Sequence, residues 1–167
     1  MFLLRPFRYL AQALAAQDSP RQLAAGFALG AFAGLVPKSS IVSTLALVLI
    51  AATQVNPAAG YGAAALFSLL SPLADPLTHR IGALLLVDAA PLSPLWTRLY
   101  NVPVVPWTGF NNTVTLGSIL LGLALLGPLY LLMTRVFARY RDAFGAKIRR
   151  LRVIGLLLGA ETAGKVL

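Results

Sequence analysis

Residues 21–36 read RQLAAGFALGAFAGLV, with glycines at 26, 30 and 34. Glycine at every fourth position lies along one face of a helix. In water that stripe is a liability, because each glycine weakens a helix by about 1 kcal/mol relative to alanine. In lipid the same spacing lets two backbones approach closely and pack. The stretch therefore points to a bilayer and to close helix contacts within it.

The rest of the 167 residues agree with that reading. Hydrophobic residues make up 58% of the chain and charged residues only 11%. A soluble domain usually carries about 25% charged residues, so a water-facing surface could not be covered here. The apolar stretches are long and rich in Leu, Ala and Gly, which is helical membrane composition rather than the alternation of a barrel. There are no cysteines, which excludes disulfides, thiol catalysis and thiolate metal sites.

The formal net charge of +9 is concentrated at the two ends. Arg5, Arg8 and Arg21 precede the first apolar segment. Arg135, Arg139, Arg141, Lys147, Arg149, Arg150 and Arg152 follow the last. The positive-inside rule explains both clusters without a nucleic-acid partner. Arg5 and Arg8 interrupt the early apolar run, so a cleaved signal is not expected. Phe7, Leu10 and Leu14 suit a short surface helix over 6–17.

Four apolar segments could cross the bilayer: 22–36, 39–55, 57–73 and 113–137. A crossing helix needs about 20 residues, and only the last clearly has them. The first three are short enough to thin the bilayer locally or to enter part way. A piece at 76–88 is too short to cross alone. The expected organisation is an N-terminal surface segment (1–20), paired helical hairpins (21–88), an external aromatic and proline-rich loop (89–112), a transmembrane helix (113–137) and a basic amphipathic tail (138–167). The fold class is all-α, with about four crossings and both termini on the cytoplasmic side of a bacterial inner membrane. The external loop holds Pro91, Pro94, Pro103 and Pro106, which exclude one long helix. Its Trp96, Tyr100, Trp107 and Phe110 suit either the membrane–water interface or an ordinary packed loop.

Residues 24–36 align with 58–70 at an offset of 34, so that Gly26, Gly30 and Gly34 map onto Gly60, Ala64 and Ser68. Each stretch then reaches a proline, Pro37 or Pro72, and Pro76 follows closely. Helix breaks are expected at all three prolines. Two hairpins would result, either as a transporter-like pair meeting at broken helices or as simple packing of small residues.

The string G-x-x-x-G-x-F-x-G-x-x-P, formed by Gly26, Gly30, Phe32, Gly34 and Pro37, resembles the opening signature of an uncharacterised bacterial membrane family, domain of unknown function 2062. Asn56-Pro57 looks like its midpoint. Ser71-Pro72-Leu73 stands where that family tends to have Asn-Pro. Residues 75–82, DPLTHRIG, resemble a branch of small inner-membrane proteins. The likeness covers roughly 20–88, and Lys38 to Val42 depart from the Gly and Gln that often follow the first proline. The resemblance implies a small multi-pass inner-membrane protein, often associated with lipid-linked sugar or envelope functions, and no established activity.

Charge inside a membrane is expensive, so polar residues at depth are functional candidates. Asp75 and His79 share a helix face, with Arg80 beside them. With Lys38 they could hold a phosphate headgroup, or they could form an internal ion pair that fixes a hairpin. A buried Asp75–His79–Arg80 cluster is the expectation. Ser39 or Ser40 can cap the second segment. A serine nucleophile would need His79, the lone histidine, as base, and no spacing supports that. One histidine and five scattered acids make no metal site. No catalytic residue and no cofactor are expected.

Phe137, Tyr140, Phe144, Ile148 and Leu151 form one stripe, with Arg139, Arg141, Lys147, Arg149, Arg150 and Arg152 opposite or at its edges. That pattern suits a helix on an anionic membrane surface, at about 1 kcal/mol per basic residue, or a docking helix. Two functions remain open. One is handling of phosphate-bearing lipid, as a transporter or transport subunit. The other is a non-transporting anchor or scaffold subunit of an envelope complex. Membrane lipids and a protein partner or second copy are the expected partners, and nucleic acid is not.

Both ends should be shielded in intact spheroplasts. Cysteines introduced singly at positions 5 and 150 should react with a membrane-impermeant maleimide only after lysis; labelling of either from outside contradicts this topology.

Overall fold

The computed structural model describes residues 19–150, with side chains through 139. The described residues form five α-helices and no strand: α1 (Pro20–Leu35), α2 (Ile41–Ala52), α3 (Pro57–Ala83), α4 (Ser93–Tyr100) and α5 (Thr113–Arg150). A π-helical turn, Leu84–Asp88, continues α3, and short 3-10 turns at Ala90–Leu92 and Val105–Thr108 flank α4. The proposed surface helix at 6–17 and the tail beyond Arg150 lie outside the described residues.

The local sequence explains where the helices start. Ser19 and Gln22 form a reciprocal cap on α1, with Pro20 in its first turn. Ser40 caps α2 through Val42 N–H. Asn56 caps α3 by accepting from Ala59 N–H at 2.6 Å, and Pro57 follows it.

α1 is the centre of the bundle. Leu23, Ala24, Ala31, Ala33 and Val36 are fully buried, and α1 packs against α2, α3 and α5. Its glycines set the contact with α3. A β-carbon at Gly26 would overlap the Asn56 carbonyl oxygen, and one at Gly30 would overlap that of Gly60. At Gly34 it would come within 2.6 Å of the Ala64 carbonyl oxygen. Residue numbers rise together on the two helices, so α1 and α3 run parallel, and α2 is the return segment that joins them in the chain. The two small-residue faces of the repeat thus meet each other, with Gly26 near Gly60 and Gly34 near Ser68.

α5 runs antiparallel to both. Gly82 meets Thr113, Gly117 meets Thr78 and Gly122 meets Phe32. Phe27 lies edge-on to Phe67 and Phe137, 6.0 and 6.4 Å between ring centres. The start of α1 and the Arg135–Arg139 stretch of α5 therefore share one end of the bundle, the basic end. Gly82 and Thr113 mark the far end.

Two of these elements are long and apolar enough to cross a membrane: Pro57–Asp88, 32 residues, and Thr113–Arg139, 27 residues. α1 and α2 are not. At 16 and 12 residues they measure ~24 Å and ~18 Å, against a hydrocarbon core of ~30 Å. Asn56 N–H donates to Gln22 C=O, which levels the starts of α1 and α3. Along α3 from Asn56, the Gly34 contact at Ser68 lies ~18 Å up and the Gly82 contact with Thr113 lies ~39 Å up. The α1–α2 hairpin therefore reaches about halfway along the α3–α5 pair.

The expected second hairpin is corrected. α3 runs unbroken through Pro72 and Pro76, so 57–73 and 76–88 are one helix with its π turn. Proline removes an N–H and would orphan the carbonyl four residues earlier. Ser71 Oγ donates to the Ser68 carbonyl at 3.1 Å and replaces the bond that Pro72 cannot make, the usual remedy in membrane helices. By contrast, α1 stops at Leu35, with Val36 extended before Pro37.

The glycine contacts predict a contrast. Gly30→Ala and Gly117→Ala force carbonyl overlap and should lower thermal stability in detergent. Gly127 has nothing within 4 Å of an added β-carbon, so Gly127→Ala should stabilise by up to about 1 kcal/mol through helix propensity. Equal effects at all three positions would refute the packing described.

Candidate functional site

The α1–α2 turn is built to end a helix inside the bundle. The last carbonyls of a helix have no partner within it, and those of α1 stop beside α3 rather than in solvent. Lys38 Nζ donates to the carbonyls of Ala33, Gly34 (3.3 Å) and Val36 (3.1 Å). Ser43 Oγ donates to Ala33 C=O at 2.9 Å, and Ser68 Oγ reaches Gly34 C=O at 3.5 Å. A cation is the right cap there, because the C-terminal end of a helix carries partial negative charge. Lys38 as a residue is exposed, but its ammonium turns inward onto those carbonyls. That desolvation lowers its pKa from the ordinary value.

Buried Ser40 donates through Oγ to the Thr108 carbonyl. The 3-10 turn Val105–Thr108 of the long connection is thereby seated on the tip of the hairpin. The connection holds one strained residue: Val104 has φ +74°, a conformation that β-branched side chains rarely adopt.

The second polar place is the far end of α3. Asp75, His79 and Arg80 are all exposed, and no ion pair joins them among the described residues. The expected buried cluster is therefore corrected: all three residues lie on the exposed surface of α3. His79 instead shares a 2.7 Å hydrogen bond, Nδ1 to Thr113 Oγ1, which ties α3 to the start of α5. Arg80 has no protein partner for its guanidinium among the described residues. It occupies a stripe with Leu69, Leu73, Leu77 and Leu84 at helical spacing, and those four leucines are exposed. Lys38 does not join this group; it stands near the level of Ser68, ~16 Å short of His79 along α3.

Beyond them, a cavity of about 440 Å³ opens between the π turn, α4 and the start of α5, with Trp96, Tyr100, Asn101 and Phe110 among its lining residues. Trp96 Nε1 donates to Leu85 C=O at 2.8 Å, and its ring lies 5.9 Å from that of Phe110. The connection between α3 and α5 is thus partly helical and packed, whereas Trp107 is 67% exposed.

Of the basic residues assigned to membrane contact, Arg139 is exposed. The side chains of Arg141, Lys147, Arg149 and Arg150 lie outside the described ones, although the α5 backbone continues through them; Arg152 lies outside the described residues altogether. Sequence reasoning missed Gly82 and Gly117, the closest backbone approaches of α3 and α5. Gly117, Gly122 and Gly127 recur every fifth residue, a signal that does not separate the packed first two from the open third.

The described chain is thus an all-helical protein of membrane composition with two helices of spanning length. The family described as an uncharacterised protein conserved in bacteria (DUF2062) matches residues 4–144, and the chain belongs to it. No curated protein and no solved structure matches it.

The cap predicts that Lys38→Met, which keeps the length of the side chain and removes the donors, destabilises by about 1–3 kcal/mol through orphaned carbonyls. Lys38→Arg should retain most of that stability. Arg80→Gln, without a protein partner, should leave the melting temperature in detergent unchanged.

Proposed function

We propose that this protein is a multi-pass bacterial inner-membrane protein that handles phosphate-bearing lipid. The observation that carries the reading is Arg80. A guanidinium in a leucine stripe, near the end of a spanning-length helix and without a carboxylate partner among the described residues, supports a reading in which it reaches up to lipid phosphates. A charge left at mid-bilayer would be unfavourable by about 2.5–3.5 kcal/mol, and long basic side chains escape that by extending to the interface.

The orientation follows from charge. Arg21, Arg135 and Arg139 share one end, so that end is cytoplasmic and both termini are inside. The α1–α2 hairpin completes four passages only where the bilayer is thin, with its tip at Lys38 and Ser39 meeting external water. Irregular backbone at membrane depth is tolerated where it is covered by protein or borders water, and the turn over 105–108 seated on Ser40 fits that requirement.

A second reading, an anchor or scaffold subunit of an envelope complex, is favoured by the solidity of the core. Glycine-to-carbonyl packing brings α1 close to α3 and α3 close to α5, and exposed leucines offer a surface to another membrane protein.

Bound lipid separates the two. On purification in mild detergent, phosphatidylglycerol should be retained, and Arg80→Gln should weaken that retention about tenfold, the loss of one charge-assisted contact. Unchanged retention together with a stoichiometric protein companion would contradict lipid handling and favour the scaffold.

A further inference from the structure

We propose that the outward face of α2 is a short cut through the bilayer along which phospholipids exchange between leaflets without an energy source. The inference rests on the lipid-handling reading and specifies where and how the lipid moves.

The mismatch is one-sided. α3 and α5 present spanning lengths, but α2 packs mainly on α1 among the described residues, with smaller contacts to α3 and to the turn at Val105–Thr108. Its outward residues Leu45, Val48 and Leu49 are about half exposed. This apolar band is bounded at one end by exposed Lys38 and Ser39, and at the other by exposed Thr53 and Gln54. Twelve helical residues separate these polar ends, ~18 Å where a bilayer core is ~30 Å.

The outer boundary does not stand above this band. Ser40 holds Thr108 against the hairpin tip, and Val104 and Trp107 beside it are exposed. An apolar and tryptophan-bearing surface of this kind seeks the headgroup level. It therefore draws the outer interface down to the tip of the hairpin. Thinning is the response of a bilayer to a short apolar belt, at fractions of a kcal/mol per ångström. Where the two interfaces approach, a headgroup crosses less hydrocarbon, and the hydroxyls and charge at Lys38 and Ser39 meet it at one end. No covalent step and no ion gradient are required.

The test uses the full chain in vesicles of phosphatidylethanolamine and phosphatidylglycerol carrying a trace of head-labelled fluorescent phosphatidylglycerol, with dithionite bleaching the outer leaflet. The protein should expose the inner-leaflet probe to bleaching. Ser39→Leu combined with Thr53→Leu and Gln54→Leu replaces the exposed polar side chains next to the apolar band and lengthens it at both ends by about two residues. It should slow exchange about tenfold, with unchanged yield and melting temperature. In single-cysteine variants, positions 39 and 53 should react with water-soluble maleimide while 45 and 49 stay protected. Protection of position 39 would place the tip in hydrocarbon and overturn the thinning. Accessible ends without probe exchange would overturn the exchange, and so would exchange that the lengthened band leaves unchanged. In each of these outcomes the Arg80→Gln lipid-retention result still stands or falls separately.

Discussion

Helix α1 touches its neighbours backbone to backbone. Gly26, Gly30 and Gly34 each face a carbonyl oxygen of the α3 backbone or its cap, and Gly82 and Gly117 repeat the arrangement between α3 and α5. In each case a Cα–H group points at a carbonyl oxygen, a contact that contributes about 0.5–1 kcal/mol. In lipid there is no hydrophobic force to press helices together, so close approach of this kind must supply the cohesion. It also fixes the register: one glycine row admits one vertical alignment of α1 on α3. The depth of the hairpin tip, the seat for the long connection and the exposure of α2 all follow from that alignment.

A helix that ends about halfway along α3 leaves its last carbonyls beside that helix and in need of donors. Lys38, Ser43 and Ser68 answer that need from three different positions. The ammonium contributes both donors and positive charge to the negative end of α1. The same residue stands exposed at the tip, where a headgroup would arrive, so structural capping and a role toward lipid are compatible in Lys38. Arg80 divides the work differently: nothing in the described protein holds it, and its surroundings are leucines.

The glycine row of α1 was legible from spacing alone, because a poor helix former recurring every fourth residue has few other uses in an apolar segment. The offset of 34 was read as a repeat of two hairpins; the structure has one hairpin, and the two small-residue faces meet each other instead. Pro72 misled for a physical reason. Proline breaks a helix in water, but the Ser71 hydroxyl substitutes for the bond that Pro72 cannot make, and that local repair is invisible to a rule about proline; the helix also runs on through Pro76. The cluster at Asp75, His79 and Arg80 was grouped by helical proximity under the assumption of burial. Exposure removed the need for pairing, and His79 found Thr113, a partner 34 residues away that no local pattern indicates. Gly82 stands far from the other glycines of its helix, and the five-residue recurrence that includes Gly117 does not mark which of its glycines is packed.

The half-depth alignment of α1 is best tested by distance. Spin labels at exposed Ser39 and Asp88, read by double electron–electron resonance in nanodiscs, report the vertical gap between the hairpin tip and the far end of α3. The glycine register places them ~25 Å apart or more along the helix axis. A separation under ~15 Å would put the tip level with the far end of α3, make α1 a full-length crossing and contradict the register from which the short hairpin is derived.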